Sequence, residues 1–231
     1  MGSWIDLDRS RAKAWLARPT AGAEGPGVLL LHAWWGLNET IRQFADRLAD
    51  EGFIVLAPDM FGGVVVDTGE AAEREVSQRD AAWKETLAIV RDGAERVLGD
   101  RGEIGRGIGV VGFSFGAAYA IELAAEPPPD LAIDAVVLCY GTGWEHDWSS
   151  SAAAFQGHYA ENDQFESAES VDGLEASLRA GGRTVDFHRY PGVGHWFMEP
   201  DRADAYDAAA AELAFGRIVA FLRENLGPLG A

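Results

Sequence analysis

Residues 108–125 read IGVVGFSFGAAYAIELAA, and the fold turns on how this stretch is parsed. Ile108 to Phe113 is a short apolar run of strand composition, and a helix-forming segment from Ser114 to about Ala125 follows with no linker. At the junction, Gly112-Phe113-Ser114-Phe115-Gly116 matches G-x-S-x-G, the pattern of a nucleophile elbow. With ten serines and 28 glycines, chance supplies roughly 0.15 such matches, so the weight lies in the strand before and the helix after. A serine on that turn stands above the strand ends, and the flanking glycines leave room for tight strand-to-helix packing. The helix N-terminus beneath it favours negative charge. Gly107-x-Gly109-x-x-Gly112 formally fits a dinucleotide fingerprint, but that motif must follow a strand, and here it is the strand.

The same alternation extends in both directions. Upstream, Ala12 to Ala17 reads as an edge strand, and Val28 to Leu31 as a strand buried on both faces. Asn38 or Thr40 caps a helix running to Asp50, with Phe44, Leu48 and Ala49 on one stripe, and Phe53 to Ala57 is the next strand. Residues 70 to 98 are helical with a break near Asp80, and Trp83, Leu87, Val90, Ala94 and Val97 form a core stripe. Downstream come a strand at Ala135 to Cys139, a strand at Ala152 to Tyr159, a helix at Glu166 to Ala180 and a strand at Thr184 to Tyr190. A last helix follows Asp207, with Leu213, Ala214, Ile218, Phe221 and Leu222 inward. This order predicts an α/β protein with a mostly parallel central sheet and helices on both faces. No repeat, linker or composition shift divides residues 1–231, so a single domain is expected.

Bulk properties narrow the function. The chain is 48% hydrophobic and 24% charged, as for a folded globular protein. Its net charge of -18 disfavours nucleic acid and anionic membranes as partners. The N-terminus lacks an apolar signal region and no run reaches the length of a membrane span, so the expected location is cytoplasmic. Cys139, the one cysteine, lies in the apolar run AVVLCY and reads as a core residue. No P-loop and no spaced Cys/His set is present, so neither cofactor nor metal is expected.

A serine hydroxyl needs a base within hydrogen-bond reach. His32 precedes Ser114, His158 and His188 fall inside predicted strands, and His146 precedes any acid placed after the following strand. His195, in Pro191-Gly192-Val193-Gly194-His195-Trp196, follows the last strand, where the order Ser, acid, His puts the base. For the acid Asp163 is the choice, in Tyr159-Ala160-Glu161-Asn162-Asp163 just beyond the strand ending near Tyr159, with Glu161 and Glu166 left open until the motifs are compared.

Taken together, GFSFG, Ala57-Pro58-Asp59-Met60-Phe61-Gly62, HYAENDQF, YPGVGHWF and LHAWWGLN (residues 31–38) resemble the sequence blocks of dienelactone hydrolases, in order and over nearly the whole chain. The resemblance implies an α/β-hydrolase fold, a triad of Ser114, Asp163 and His195, and an oxyanion hole from the backbone N–H groups of Trp34 and Phe115. Trp35, Tyr140, Trp196 and Glu199 become candidate pocket residues. There are three departures. Ser114 stands where the best-known relatives have cysteine, Ala33 where they have an oxyanion-loop glutamate, and Glu199 where they have a carboxylate-binding arginine. The expected chemistry is therefore hydrolysis of a small ester or lactone through an acyl-enzyme on a monomer, or a weak homodimer. The alternatives are a general carboxylesterase or thioesterase, or a silent small-molecule-binding protein on the same fold. Glu199 at the rim would repel anionic substrates and leave neutral ones preferred.

Overall fold

A computed structural model describes residues 1–19, 24–100 and 107–227. The strands are β1 (Ser3–Asp6), β2 (Lys13–Ala17), β3 (Gly27–Leu31), β4 (Ile54–Pro58), β5 (Ile108–Phe113), β6 (Ile133–Cys139), β7 (Ala154–Asn162) and β8 (Val185–Gly194). The helices are α1 (Glu39–Asp50), α2 (Gly69–Ala81), α3 (Trp83–Asp100), α4 (Phe115–Ala125), α5 (Ala168–Ala180) and α6 (Ala208–Leu226). The strands form one sheet in the order β1-β2-β4-β3-β5-β6-β7-β8. It is parallel from β4 to β8, and β1 and β2 are the antiparallel exceptions.

Both faces are buried, as the continuous apolar runs require. Leu29, Leu31, Val110, Val136 and Leu138 pack on one side beneath α3, α4 and α5. Val28, Leu30, Val111, Val137 and Cys139 pack on the other beneath α1 and α6. Asn38 is the N-cap of α1, its side chain accepting from the Ile41 N–H at 3.1 Å. The helical break falls at Ala82, two residues beyond Asp80.

Three sequence expectations are corrected. Residues 12–17 do not form an edge strand, because β1 covers them. That strand was invisible in sequence: Ser-Trp-Ile-Asp has no apolar run and lies mostly exposed. It holds through its pairing with β2, while Asp46 of α1 accepts from the Gly2 N–H and the Trp15 indole. Leu213 is 51% exposed, since the inward stripe of α6 runs through Ala211, Ala214, Phe215, Ile218 and Leu222. Finally, β8 continues four residues beyond Tyr190, with consequences for the site.

Candidate active site

The elbow forms as the glycines dictate. A Cβ on Gly112 would lie 2.7 Å from the Ala117 Cα, and one on Gly116 would lie 2.5 Å from the Leu31 carbonyl oxygen. Ser114 itself sits at φ 47°, ψ -111°, a left-handed conformation costing about 1–3 kcal/mol for a residue with a side chain. The surroundings hold it there: its N–H donates to the Cys139 carbonyl at 2.8 Å, and its carbonyl accepts from the Ala117 N–H at 2.8 Å. Ser114 is the N-cap residue of α4 but makes no capping bond, so its hydroxyl is free for another partner. That partner is the His195 Nε2, at 2.9 Å.

Asp163 and His195 meet because of strand register. The β7/β8 pairing shifts between Ala160 and Asn162, after which Asn162 pairs with Gly194. The next residue on each strand is Asp163 and His195. The Asp163 carboxylate oxygens lie 2.9 and 2.8 Å from the His195 Nδ1, and both side chains are almost fully shielded from solvent. The backbone N–H groups of Phe165 and Glu166 also donate to Asp163 Oδ1, at 2.9 and 3.0 Å. Burial alone would raise the Asp163 pKa, but the His195 contact and these two donors outweigh it and hold the carboxyl below its usual value. The competing acids have other partners. Glu161 accepts from the Gly192 N–H, and Glu166 from the Thr142 N–H and hydroxyl.

Residues 32–36 form the wall opposite. His32 is buried, with its Nδ1 2.7 Å from the Ala33 carbonyl and its Nε2 accepting from the Met60 N–H at 3.1 Å. Donating through Nδ1 and accepting through Nε2 is the neutral tautomer, and burial pushes its pKa down to about 4. His32 therefore ties this loop to the 59–63 turn, which Asp59 closes by accepting from the Phe61 and Gly63 N–H groups. The start of α4 packs on the Leu31 and His32 carbonyls, which brings the segment leading into Trp34 beside the one that begins at Phe115. Sequence reasoning set His32 aside as a base and so missed its structural role. Its place next to the loop was the available signal.

Aromatic rings gather around His195. Trp34 stacks on Trp196 at 5.5 Å between centroids, and Trp35 lies 5.2 Å from Trp196. Phe165, not anticipated from sequence, lies 4.9 Å from His195, 5.3 Å from Trp34 and 5.1 Å from Trp196, and is 49% exposed. A cavity of about 400 Å³ runs beside His195 and Trp196, and its lining includes Gln164, Asp204, Tyr206 and Asp207 but no Lys or Arg.

Two of the expected pocket residues are buried. Tyr140 and Glu199 are both 0% exposed, so Glu199 is no rim charge. Glu199 faces inward because its N–H closes the tight turn after His195 onto the Trp196 carbonyl, and its carboxylate accepts from the Tyr140 hydroxyl at 2.7 Å. Arg202 lies 4.0 Å from the Trp35 ring centroid and pairs with Asp201. Trp35 is buried and forms the floor beneath Trp196. Among the described residues, no group of three or more His, Cys, Asp or Glu side chains could hold a metal ion, and no helix is long and apolar enough to cross a membrane.

A mostly parallel eight-stranded sheet, with a strained serine on the turn after β5 and a histidine after β8, defines an α/β-hydrolase. The sequence profile of the dienelactone hydrolase family matches residues 12–226, and the chain belongs to that family. It is 30% identical to Protein usf of Aquifex pyrophilus, over 98% of this chain and all of that one. The fold matches a dienelactone hydrolase-like promiscuous phosphotriesterase from metagenomic libraries with a TM-score of 0.84, at 22% identity over 98% and 99% of the two chains. An acylaminoacyl peptidase shares the fold at a TM-score of 0.72 and 11% identity, over 98% of this chain and 41% of that one.

Proposed function

We propose that this hydrolase cleaves small neutral ester or lactone bonds, with Ser114 as nucleophile, His195 as general base and Asp163 as the group that orients it. The observation carrying this reading is the unbroken hydrogen-bond chain from Ser114 Oγ through His195 to Asp163. An ionised Asp163 holds the proton on Nδ1, so Nε2 is the lone pair that accepts the serine proton during attack on the carbonyl. The tetrahedral oxyanion is received by the backbone N–H groups of Trp34 and Phe115, and losing such a donor typically costs roughly 3 kcal/mol. His195 then protonates the leaving alcohol, and water repeats the sequence on the acyl-enzyme to release the acid. The aromatic rings around His195 and the net charge of -18 favour neutral substrates over carboxylates.

An activity screen over simple esters, thioesters and lactones tests this reading, with Ser114→Ala as the control. Turnover of esters or lactones that disappears in the variant supports it. Turnover that survives the substitution refutes the serine mechanism, and preference for thioesters moves the substrate assignment.

A further inference from the structure

A buried acid with no substrate to meet calls for a reason. Glu199 is fully buried, one oxygen accepts from the Tyr140 hydroxyl, and the other has no hydrogen-bond partner among the described residues. Burying a carboxyl there costs more than an apolar residue of similar size would, so packing alone is a poor explanation. Tyr140 is equally unusual. It follows β6 at φ 38°, left-handed for a residue with a Cβ, and its N–H donates to the His158 carbonyl at 2.8 Å. Its ring meets the His195 imidazole edge-on at 4.9 Å and lies 5.7 Å from Phe197. The adjacent Cys139 carbonyl accepts from the Ser114 N–H, so the same two residues contact both reacting side chains' supports. On the other side, the turn carrying His195 includes Trp196 at φ 64° and closes through the Glu199 N–H to the Trp196 carbonyl at 2.9 Å.

We propose that Tyr140 and Glu199 are a positioning pair, in which the carboxyl of Glu199 fixes the Tyr140 ring and that ring fixes the plane of His195. The assignment rests on His195 being the base. The Tyr140–Glu199 bond ties the residue that follows β6 to the histidine turn, behind the Ser114–His195 bond, and it spans 59 residues of sequence. Neither residue touches substrate, and both act through the imidazole.

The pair works in its uncharged form. Burial pushes the Glu199 carboxyl up to about 8, with Asp201 raising it further while the Tyr140 hydrogen bond and Arg202 oppose the shift. The groups facing it are Cys139 at the end of β6 and Tyr140 just after it, both themselves shifted well upward by burial, and Asp201 and Arg202 from its own turn. Its ionisation would place an unpaired charge behind the histidine.

The test compares Glu199→Gln, which keeps an acceptor for the Tyr140 hydroxyl but cannot ionise, with Glu199→Leu, which has none. Glu199→Leu should lower kcat by about 10- to 100-fold with KM little changed, as expected for a misplaced base. Glu199→Gln should restore kcat at neutral pH and remove a fall in kcat that the native enzyme shows above about pH 8. The downfield proton resonance of the His195 Nδ1–H, read by NMR, reports positioning without turnover: it should persist in Glu199→Gln and be lost in Glu199→Leu. If Glu199→Leu does not fold, Tyr140→Phe removes the same bond and should reproduce its kcat loss and resonance change. The pair is overturned if Tyr140→Phe and Glu199→Leu keep native kcat and a sharp resonance. It is also overturned if Glu199→Gln matches native in the alkaline limb. A native protein that turns over no ester, but whose resonance follows the expected pattern, would refute the proposed reaction and leave the pair standing.

Discussion

Two turns bring Ser114 and His195 together, and they are held differently. The elbow at residues 112–116 is fixed by backbone: glycines where a Cβ would collide, and main-chain hydrogen bonds on both sides of Ser114. The turn at residues 195–202 also closes on its own main chain, from the Glu199 N–H to the Trp196 carbonyl, but its histidine is held by side chains, with Asp163 on one edge of His195 and the Tyr140–Glu199 pair behind it. Close backbone packing writes itself into sequence as glycine. Side-chain support draws on residues far apart in the chain and leaves no local pattern. The difference also predicts how each turn fails: the first through loss of an atom, the second through loss of alignment.

The largest effects belong to the atoms themselves. Ser114→Ala and His195→Ala should each lower kcat by about 10⁴- to 10⁶-fold, and the double variant should be little worse, because groups acting as one unit are not additive. Steady-state kinetics on the three proteins checks this; a double variant far below either single one would mean the two do not share a step. Asp163→Asn should cost about 10⁴-fold through the wrong imidazole tautomer, while Glu161→Gln stays near native. The reverse order would transfer the acid role to Glu161.

The same contrast explains what was legible in the sequence. G-x-S-x-G with a strand before and a helix after placed Ser114, and the glycines around 192–194 placed His195. Asp163 could be named, but the register shift that aligns it with His195 lies in strand pairing and not in the segment itself. Glu199 was misread because a charged residue in a loop ordinarily faces water, and what turns it inward is the closure of its own turn together with the Tyr140 partner 59 residues away. Phe165 was missed for the complementary reason: a lone aromatic in an acidic loop has no periodicity to mark it. β1 escaped because its stability comes from pairing with β2 and not from its own burial.

Smaller effects sharpen the comparison. Because burial raises the Glu199 carboxyl from 4.5 to about 8, the stability it contributes is complete below pH 4.5 and is lost as pH rises through about 8. The native Tm should therefore fall between pH 5 and 8 by about 10 °C more than that of Glu199→Gln. Parallel thermal-melt curves would show that Glu199 ionises normally. Phe165→Ala should raise KM for aryl esters about 10-fold, the loss of one aromatic contact, and leave kcat for a small acetyl ester near native because the Phe165 N–H to Asp163 remains. An unchanged KM would remove Phe165 from the substrate side. Finally, of a matched pair of neutral and carboxylate-bearing esters, the neutral one should have a kcat/KM about 10-fold higher at low salt, a gap that narrows as salt is added. Preference for the anion at both salt concentrations would point to a cationic subsite outside the cleft described above.

The central claim is that Ser114 is a nucleophile activated by His195. It is tested most directly by treating the native protein with a fluorophosphonate probe and locating the adduct by mass spectrometry. One equivalent on the peptide containing Ser114, with none in Ser114→Ala and strongly slowed labelling in His195→Ala, is the predicted result. A folded native protein left unlabelled, or labelled elsewhere, would contradict it.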